Sequence, residues 1–175
     1  MTKKEKEFNS AKKIVNQWCK LNSIAIPKVE CLNLHCLGLF KKSIPNTIAI
    51  DTIKCKISCS KWNSGTIIDN SITGTMLHEL GHYVHLNWYK SITKAFKLLK
   101  EPMIHYLETD IYEDIAESIR LFIYNPYLLK EGRPKRYSIL LKHFKPLKRP
   151  HFTQLLQNQS FEDRKIIYRW LGQLI

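Results

Sequence analysis

The feature that most restricts how this chain can fold is the pentad His78-Glu79-Leu80-Gly81-His82. On an α-helix, residues four positions apart lie one turn above each other on the same face, so both imidazoles can point at one ion. The positions around them are mostly apolar, namely Met76, Leu77, Leu80, Tyr83 and Val84. The pattern predicts a buried helix whose polar side chains need partners, and a metal ion would supply them.

The pentad has two interpretations. H-E-x-x-H is the arrangement of zinc-dependent proteases, in which the histidines bind the metal and the glutamate is the general base. The motif is short, however, and a buried histidine pair can also be satisfied by backbone carbonyls. The rest of the chain has to decide between a metal site and a structural pair.

A catalytic zinc site needs three protein ligands and one open position. One class of proteases takes the third ligand from H-E-x-x-H-x-x-G-x-x-H, but His85 and Trp88 occupy the later positions here and exclude that class. His85 shares a helix face with His78, although three ligands on one helix give poor tetrahedral geometry. We expect His85 to be exposed or to support a ligand.

A glutamate from a later helix is the other common solution. The stretch 109–124 predicts an amphipathic helix, on which Glu113 and Glu117 share a face and Ala116 is small enough for a second helix to approach. If Glu113 binds the ion, Glu117 can accept a hydrogen bond from a ligand imidazole and fix its tautomer. The alternative is a helix-capping role, because Asp110 and Glu113 have the spacing of a helix start.

These two segments together resemble the gluzincin metallopeptidases. His78-Glu79-x-x-His82 is followed by the run Glu113-Asp114-Ile115-Ala116-Glu117-Ser118-Ile119-Arg120. The combination is most similar to small metallopeptidases encoded by phages and prophages, and the second segment is similar to the E-x-x-A-E segment of the anthrax lethal factor protease domain. The resemblance covers about residues 47–136.

The resemblance implies a zinc-dependent endopeptidase of phage or other mobile-element origin, acting on a protein or peptide substrate. It implies one catalytic Zn²⁺ held by His78, His82 and Glu113, with Glu79 as general base. Glu117 would orient a ligand imidazole. No further cofactor is expected.

The oxyanion donor follows from the same resemblance. In lethal-factor-like domains a tyrosine seven residues before the ligand glutamate donates to the developing oxyanion, and Tyr106 stands at that offset. Tyr106 could equally be a core aromatic, and Tyr112 and His105 are neighbouring candidates.

The predicted fold is a single α+β domain over 1–175, zincin-like, with a small sheet beside the helix that carries the pentad and a mostly helical C-terminal part. Its predicted parts are an N-terminal helix at about 7–21, a sheet at about 27–68 with strands at 29–32, 47–51 and 54–57, the metal-site helices at about 72–88 and 109–124, a helix at 91–100, and a helical C-terminal extension at 126–175 that closes with a helix at 161–174.

The charge balance is strongly basic, with 28 lysines and arginines against 15 acidic residues and a net charge of +13. Such a balance favours acidic partners such as nucleic acid or a virion component, although a merely solvated basic surface is the alternative. No apolar run of about 18 residues predicts a membrane span. The N-terminus has no apolar segment typical of a signal peptide, so we expect a cytoplasmic protein, in the host cytoplasm or the virion if it is viral.

The five cysteines form an odd set without a signal peptide, which favours reduced thiols. Cys31 with Cys36 and Cys55 with Cys59 form two loose pairs that could hold a second metal. We expect them instead to be small buried residues on strands.

Two other functions remain open. The protein could be a non-catalytic component of an assembly in which zinc only joins two helices. It could also be a protease directed at proteins bound to nucleic acid.

Overall fold

The structure, a computed structural model, describes residues 1–41, 47–55, 59–61, 67–69, 71–88, 90–99, 110–124 and 126–147. The described part of the chain is α+β and mostly helical. Its elements, in chain order, are α1 (Lys3–Leu21), β1 (Lys28–Cys31), β2 (Gly38–Lys41), β3 (Thr47–Ile50), β4 (Cys59–Lys61), β5 (Ile67–Asp69), α2 (Ile72–Trp88), α3 (Lys90–Lys97), α4 (Ile111–Tyr124), α5 (Pro126–Gly132) and α6 (Pro134–His143).

Three strands form a mixed sheet in the order β1-β3-β2. The central strand β3 pairs parallel with β1 and antiparallel with β2, and all four of its residues are buried. A central strand that is covered on both faces typically consists of consecutive small and β-branched residues, and here the residues are Thr-Ile-Ala-Ile. The strands β4 and β5 form a separate antiparallel pair.

Helix α2 lies at the centre of the fold. It packs most extensively against α4, and α1, β2, β3 and α3 also contact it. The side chains that share this buried position are Met76, Leu77, Leu80, Tyr83 and Val84. A helix surrounded by other elements is apolar on most sides, which explains why its apolar residues do not form a single stripe.

Helix α1 begins at Lys3, four residues before the predicted start. Thr2 accepts a hydrogen bond from the backbone of Glu5, whose carboxylate in turn accepts from the backbone N–H of Thr2. This capping box lies in a polar stretch where no apolar periodicity marks a helix. At the other end of α1, the buried Trp18 packs on Phe144 with ring centroids 5.2 Å apart and donates to the carbonyl of Lys145.

The predicted strands were partly wrong. The stretch 54–57 is no strand where it is described, because Lys54 lies in a turn that Asp51 stabilises by accepting the backbone N–H groups of Ile53 and Lys54. The strand β2 was not predicted, and it begins at Gly38, a residue type that is more common in turns than in strands. The helix predicted at 91–100 is α3, which ends at Lys97.

Two parts of the C-terminal extension, α5 and α6, are helical as predicted, and the predicted helix at 161–174 lies outside the described residues. Among the helices that the structure describes, none combines the length and apolar character that a membrane crossing requires.

Candidate metal centre

The pentad lies on the middle turns of α2, with the bounds that the sequence predicted. Ser71 precedes the helix and its hydroxyl accepts the backbone N–H of Gly74, so the first turn has a side-chain cap. The imidazoles of His78 and His82 lie one helical turn apart and meet edge to face, with ring centroids 4.8 Å apart and planes at 85°. The helix thereby presents two ring nitrogens towards α4.

Helices α2 and α4 are in backbone contact where they cross. A Cβ atom at Gly81 would lie 2.6 Å from the carbonyl oxygen of Ala116 and 2.7 Å from its Cα. Only glycine allows this approach, because the obstacle is backbone and cannot rotate away. The close approach brings Glu113, three residues before Ala116, within reach of the two histidines.

The ligand atoms of His78, His82 and Glu113 converge. The Nε2 atom of His78 lies 3.0 Å from one carboxylate oxygen of Glu113, and the Nε2 atom of His82 lies 3.2 Å from the other. The three ligand atoms lie within 4.8 Å of one another, and this is the one such group found among the described residues. Two imidazole nitrogens and a carboxylate oxygen suit a divalent transition metal, so the group could hold a metal ion.

Glu117 supports the first histidine. Its carboxylate lies 3.1 Å from the Nδ1 atom of His78, and Arg120 donates to both carboxylate oxygens of Glu117. Glu117 and Arg120 are buried, so the pair is shielded from water. A carboxylate at Nδ1 keeps the proton on that nitrogen and leaves Nε2 facing the ligand position.

The pKa values of His78, Glu113 and Glu117 reflect these contacts. Burial lowers the pKa of His78, but hydrogen bonds to Glu113 and Glu117 outweigh it and raise the pKa to about 10. Burial raises the pKa of Glu113, yet hydrogen bonds from both histidines hold it well below its usual range. Glu117 is likewise held low, to about 2, because Arg120 and His78 oppose the effect of burial.

Glu79 lies between the metal group and the sheet. One of its carboxylate oxygens accepts the backbone N–H of Phe40 in β2, at 2.8 Å. Glu79 is buried, and burial raises its pKa although the two histidines and this N–H act in the opposite direction. A carboxylate with a raised pKa is suited to take up and release a proton near neutral pH.

Gly38 allows β2 to lie this close to α2. A Cβ atom there would lie 2.6 Å from Cγ2 of Thr75 and 3.0 Å from Cγ of Glu79. The missing side chain therefore sets the distance from which the Phe40 N–H reaches Glu79.

His85 does not join the metal group. It is buried rather than exposed, and its Nε2 atom lies 2.5 Å from the hydroxyl of Thr93 in α3. Its ring is also 5.3 Å from that of Tyr112, which is half exposed. His85 thus connects α2 to α3 and packs beside Tyr112 of α4. Tyr106 and His105 lie outside the described residues, so the oxyanion donor stays a prediction.

The cysteine expectation holds only in part. Cys55 is buried as expected, whereas Cys31 and Cys36 are exposed. Cys31 faces the hydroxyl of Thr52 and Cys36 donates to the carbonyl of Gly38, at 3.2 and 3.0 Å.

No protein-family model, curated protein or solved structure matches the chain. What can be inferred about function therefore rests on the residues of the centre.

Three contributors to the centre were not predicted. They are Gly81, Arg120 and the backbone N–H of Phe40. Gly81 occupies a variable position of the pentad, and Arg120 follows Glu117 by three residues, a spacing that places the two on one helix face. That spacing was the one available signal, because a backbone donor from a distant strand leaves no trace in a local pattern.

Proposed function

We propose that the protein is a zinc-dependent endopeptidase with a zincin-like arrangement of helix and sheet. The observation that carries the proposal is the position of Glu79. Its carboxylate is close enough to His78, His82 and Glu113 to interact electrostatically with all three, and it accepts a hydrogen bond from β2. A base, a ligand set and a sheet edge therefore meet at one place.

Partial exposure of the ligands favours a catalytic centre over a structural one. The side chains of His78, His82 and Glu113 are 19%, 16% and 27% exposed. Structural zinc sites are closed by four protein ligands, commonly cysteines, whereas catalytic sites keep one position open. None of the described cysteines belongs to this group of three.

Each residue of the group has a definite task in the proposed reaction. His78, His82 and Glu113 would hold the zinc, which supplies Lewis acidity that polarises a carbonyl group and makes water easier to deprotonate. Glu117, fixed by Arg120, keeps the proton on Nδ1 of His78 and so directs Nε2 towards the ion.

Glu79 carries the proton during hydrolysis. Its carboxylate accepts a proton from the attacking water and then donates it to the leaving amine as the peptide bond breaks. The raised pKa of Glu79 suits both steps, because the proton must be accepted and released within one turnover. Tyr106 is the proposed donor to the oxyanion.

The sheet supplies a place for an extended substrate. The strand β2 is at the edge of the order β1-β3-β2, and an edge strand can pair with an extended peptide. Glu79 already accepts the N–H of Phe40 and Cys36 donates to the carbonyl of Gly38, so a peptide would replace these contacts or use the other backbone groups of β2. Because β2 also donates to Glu79, a peptide added at this edge would lie close to the base.

The test compares zinc-loaded wild type with Glu79→Gln on casein and a fluorogenic peptide library. We expect Glu79→Gln to retain one zinc per chain and to lose about 10²–10⁴-fold in kcat, since the amide cannot accept the proton. Glu113→Ala should lose the zinc. The matched control is Glu30→Gln, because Glu30 lies on the surface and pairs with Lys28.

Three results would contradict the proposal. Equal activity in wild type and Glu79→Gln would exclude Glu79 as the base. Well-folded wild type that takes up no zinc would exclude the metal centre. Zinc binding without hydrolysis of any peptide would favour the structural alternative.

A further inference from the structure

The outward side of α1 carries a row of lysines. The inward side of the helix is buried and consists of Ala11, Ile14, Val15, Trp18 and Cys19. The opposite side exposes Lys3, Lys6, Lys13 and Lys20, which we call the lysine row. Acidic side chains on α1 are confined to its first turns, at the exposed Glu5 and the half-buried Glu7. A solvated helix face usually mixes charges of both signs, whereas from residue 9 to residue 20 this side exposes only lysines and the neutral Asn9, Ser10 and Gln17.

The spacing aligns the row with the helix axis. The members follow one another at intervals of three, seven and seven residues, and an interval of seven is close to two full turns. Neighbouring members at that interval are about 10.5 Å apart along the axis, and the row is about 26 Å long. The result is a narrow line of ammonium groups.

The acidic residues do not compensate this charge, because most of them serve the interior or cap helices. Among the described residues, Asp51, Glu79, Asp114 and Glu117 are buried. Glu113 belongs to the metal group, Asp110 accepts the first N–H groups of α4, and Glu5 is held in the capping box of α1. Within the described part of the chain, no side chain of the lysine row forms an ion pair or a hydrogen bond.

Two further exposed lysines lie near the C-terminal end of α1. Lys145 exchanges hydrogen bonds with the side chain of Asn22, directly after α1, and Lys142 and Lys145 are exposed. Their segment packs on Trp18, on the inward side of α1, so they add positive charge near this end of the helix but are not members of the lysine row.

We propose that the lysine row binds the phosphate backbone of nucleic acid. Double-stranded DNA carries one negative charge per about 1.7 Å of its axis. Each lysine of a straight row can therefore contact a phosphate when the row lies against the duplex. Lysine contacts to phosphate carry no base-sequence information, so we expect binding that does not depend on the DNA sequence. This binding does not depend on the proposed peptidase activity.

The form of the row favours nucleic acid over two other anionic partners. A protein partner usually adds an apolar centre to its interface, whereas the exposed side of α1 from Lys6 to Lys20 offers only lysines and neutral polar groups. An anionic membrane presents a plane of charge, whereas the row is one residue wide. A linear polyanion matches it best.

The test measures binding of full-length protein to a fluorescent 20-base-pair DNA duplex of random sequence across a series of salt concentrations. The test variant changes Lys3, Lys6, Lys13 and Lys20 to Gln. We expect the slope of log K against log salt to decrease by about 3–4, because each lost phosphate contact removes about 0.9. Since the four side chains are exposed, the variant should melt at the wild-type temperature.

The matched control changes the same number of charges elsewhere, by Gln at Lys94, Lys97, Lys130 and Lys135. We expect the control to keep most of the wild-type slope. An equal decrease in both variants would assign binding to the net charge and overturn the proposal. Absence of DNA binding by wild type would overturn it as well, as would row-dependent binding to phosphatidylserine vesicles without binding to DNA.

Discussion

Glu117 shows how one carboxylate can act through another side chain. It does not belong to the group of three ligands, yet it contacts His78 at Nδ1 and is itself fixed by Arg120. The order of these contacts runs from a guanidinium to a carboxylate to an imidazole. Each member fixes the orientation of the next, so the Nε2 atom of His78 has little freedom to move away from the position of the proposed ion.

The buried His85 predicts how the stability of the protein depends on pH. Burial, with a smaller effect of His82, lowers its pKa from 6.5 to about 4. The folded protein thus prefers neutral His85, and this contribution to stability is present above pH 6.5 and is lost as the pH decreases towards 4. The change should be a few kcal/mol, since one pKa unit corresponds to about 1.4 kcal/mol.

The measurement is urea denaturation of wild type and His85→Gln at pH 7.5 and 5.0, with chelator present. Wild type should lose more stability than the variant between the two values, because glutamine does not titrate. His35→Gln, at an exposed position, is the control and should behave as wild type. Parallel losses in wild type and His85→Gln would contradict the prediction.

At the scale of elements, the crossing of α2 and α4 decides whether a ligand group can form. The two helices carry the ligands, and Gly81 opposite Ala116 sets their distance. Any side chain at position 81 meets backbone atoms and has to push the helices apart.

Gly81→Ala should therefore destabilise the protein and, if the proposed zinc site is correct, weaken zinc binding as well. Alanine favours a helix over glycine by about 1 kcal/mol, but overpacking typically costs about 1–3 kcal/mol, and here the obstacle is rigid. We expect a lower free energy of unfolding in urea and at least about tenfold weaker zinc binding in a chelator competition. A variant that is more stable than wild type and binds zinc equally would refute the close approach.

The elements also show what the sequence could predict. The helix that carries the pentad followed from its apolar residues, and the face shared by Glu113 and Glu117 followed from helical spacing. Contacts between segments that are far apart in the sequence leave no periodic pattern of residues. Gly38 looks like a strand boundary until β2 is seen against Thr75, and only the crossing explains Gly81.

In the molecule as a whole, a buried ion pair joins α6 to α4 beside the candidate metal group. Asp114, next to the ligand Glu113, accepts from Arg136 of α6 at 2.8 Å, and both side chains are buried. The guanidinium also lies 5.5 Å from the centre of the Phe96 ring in α3. One arginine thus connects three helices.

Removing one partner should be far more damaging than removing both. Asp114→Ala leaves an uncompensated buried charge and should cost about 3–5 kcal/mol of unfolding free energy. Asp114→Leu combined with Arg136→Met replaces the pair by apolar groups and should recover most of that loss. Urea denaturation of the two variants measures the difference, and equal destabilisation would show that the pair is not shielded from water.

The hydrogen bond from Phe40 to Glu79 has a consequence for how this centre can be dissected. Its donor is a main-chain amide, so alanine scanning across the strand would leave the contact intact and report position 40 as unimportant for it. Replacement of the amide by an ester, or proline at position 40, removes the donor itself. A conventional mutational survey would therefore overlook one of the groups that define the environment of Glu79.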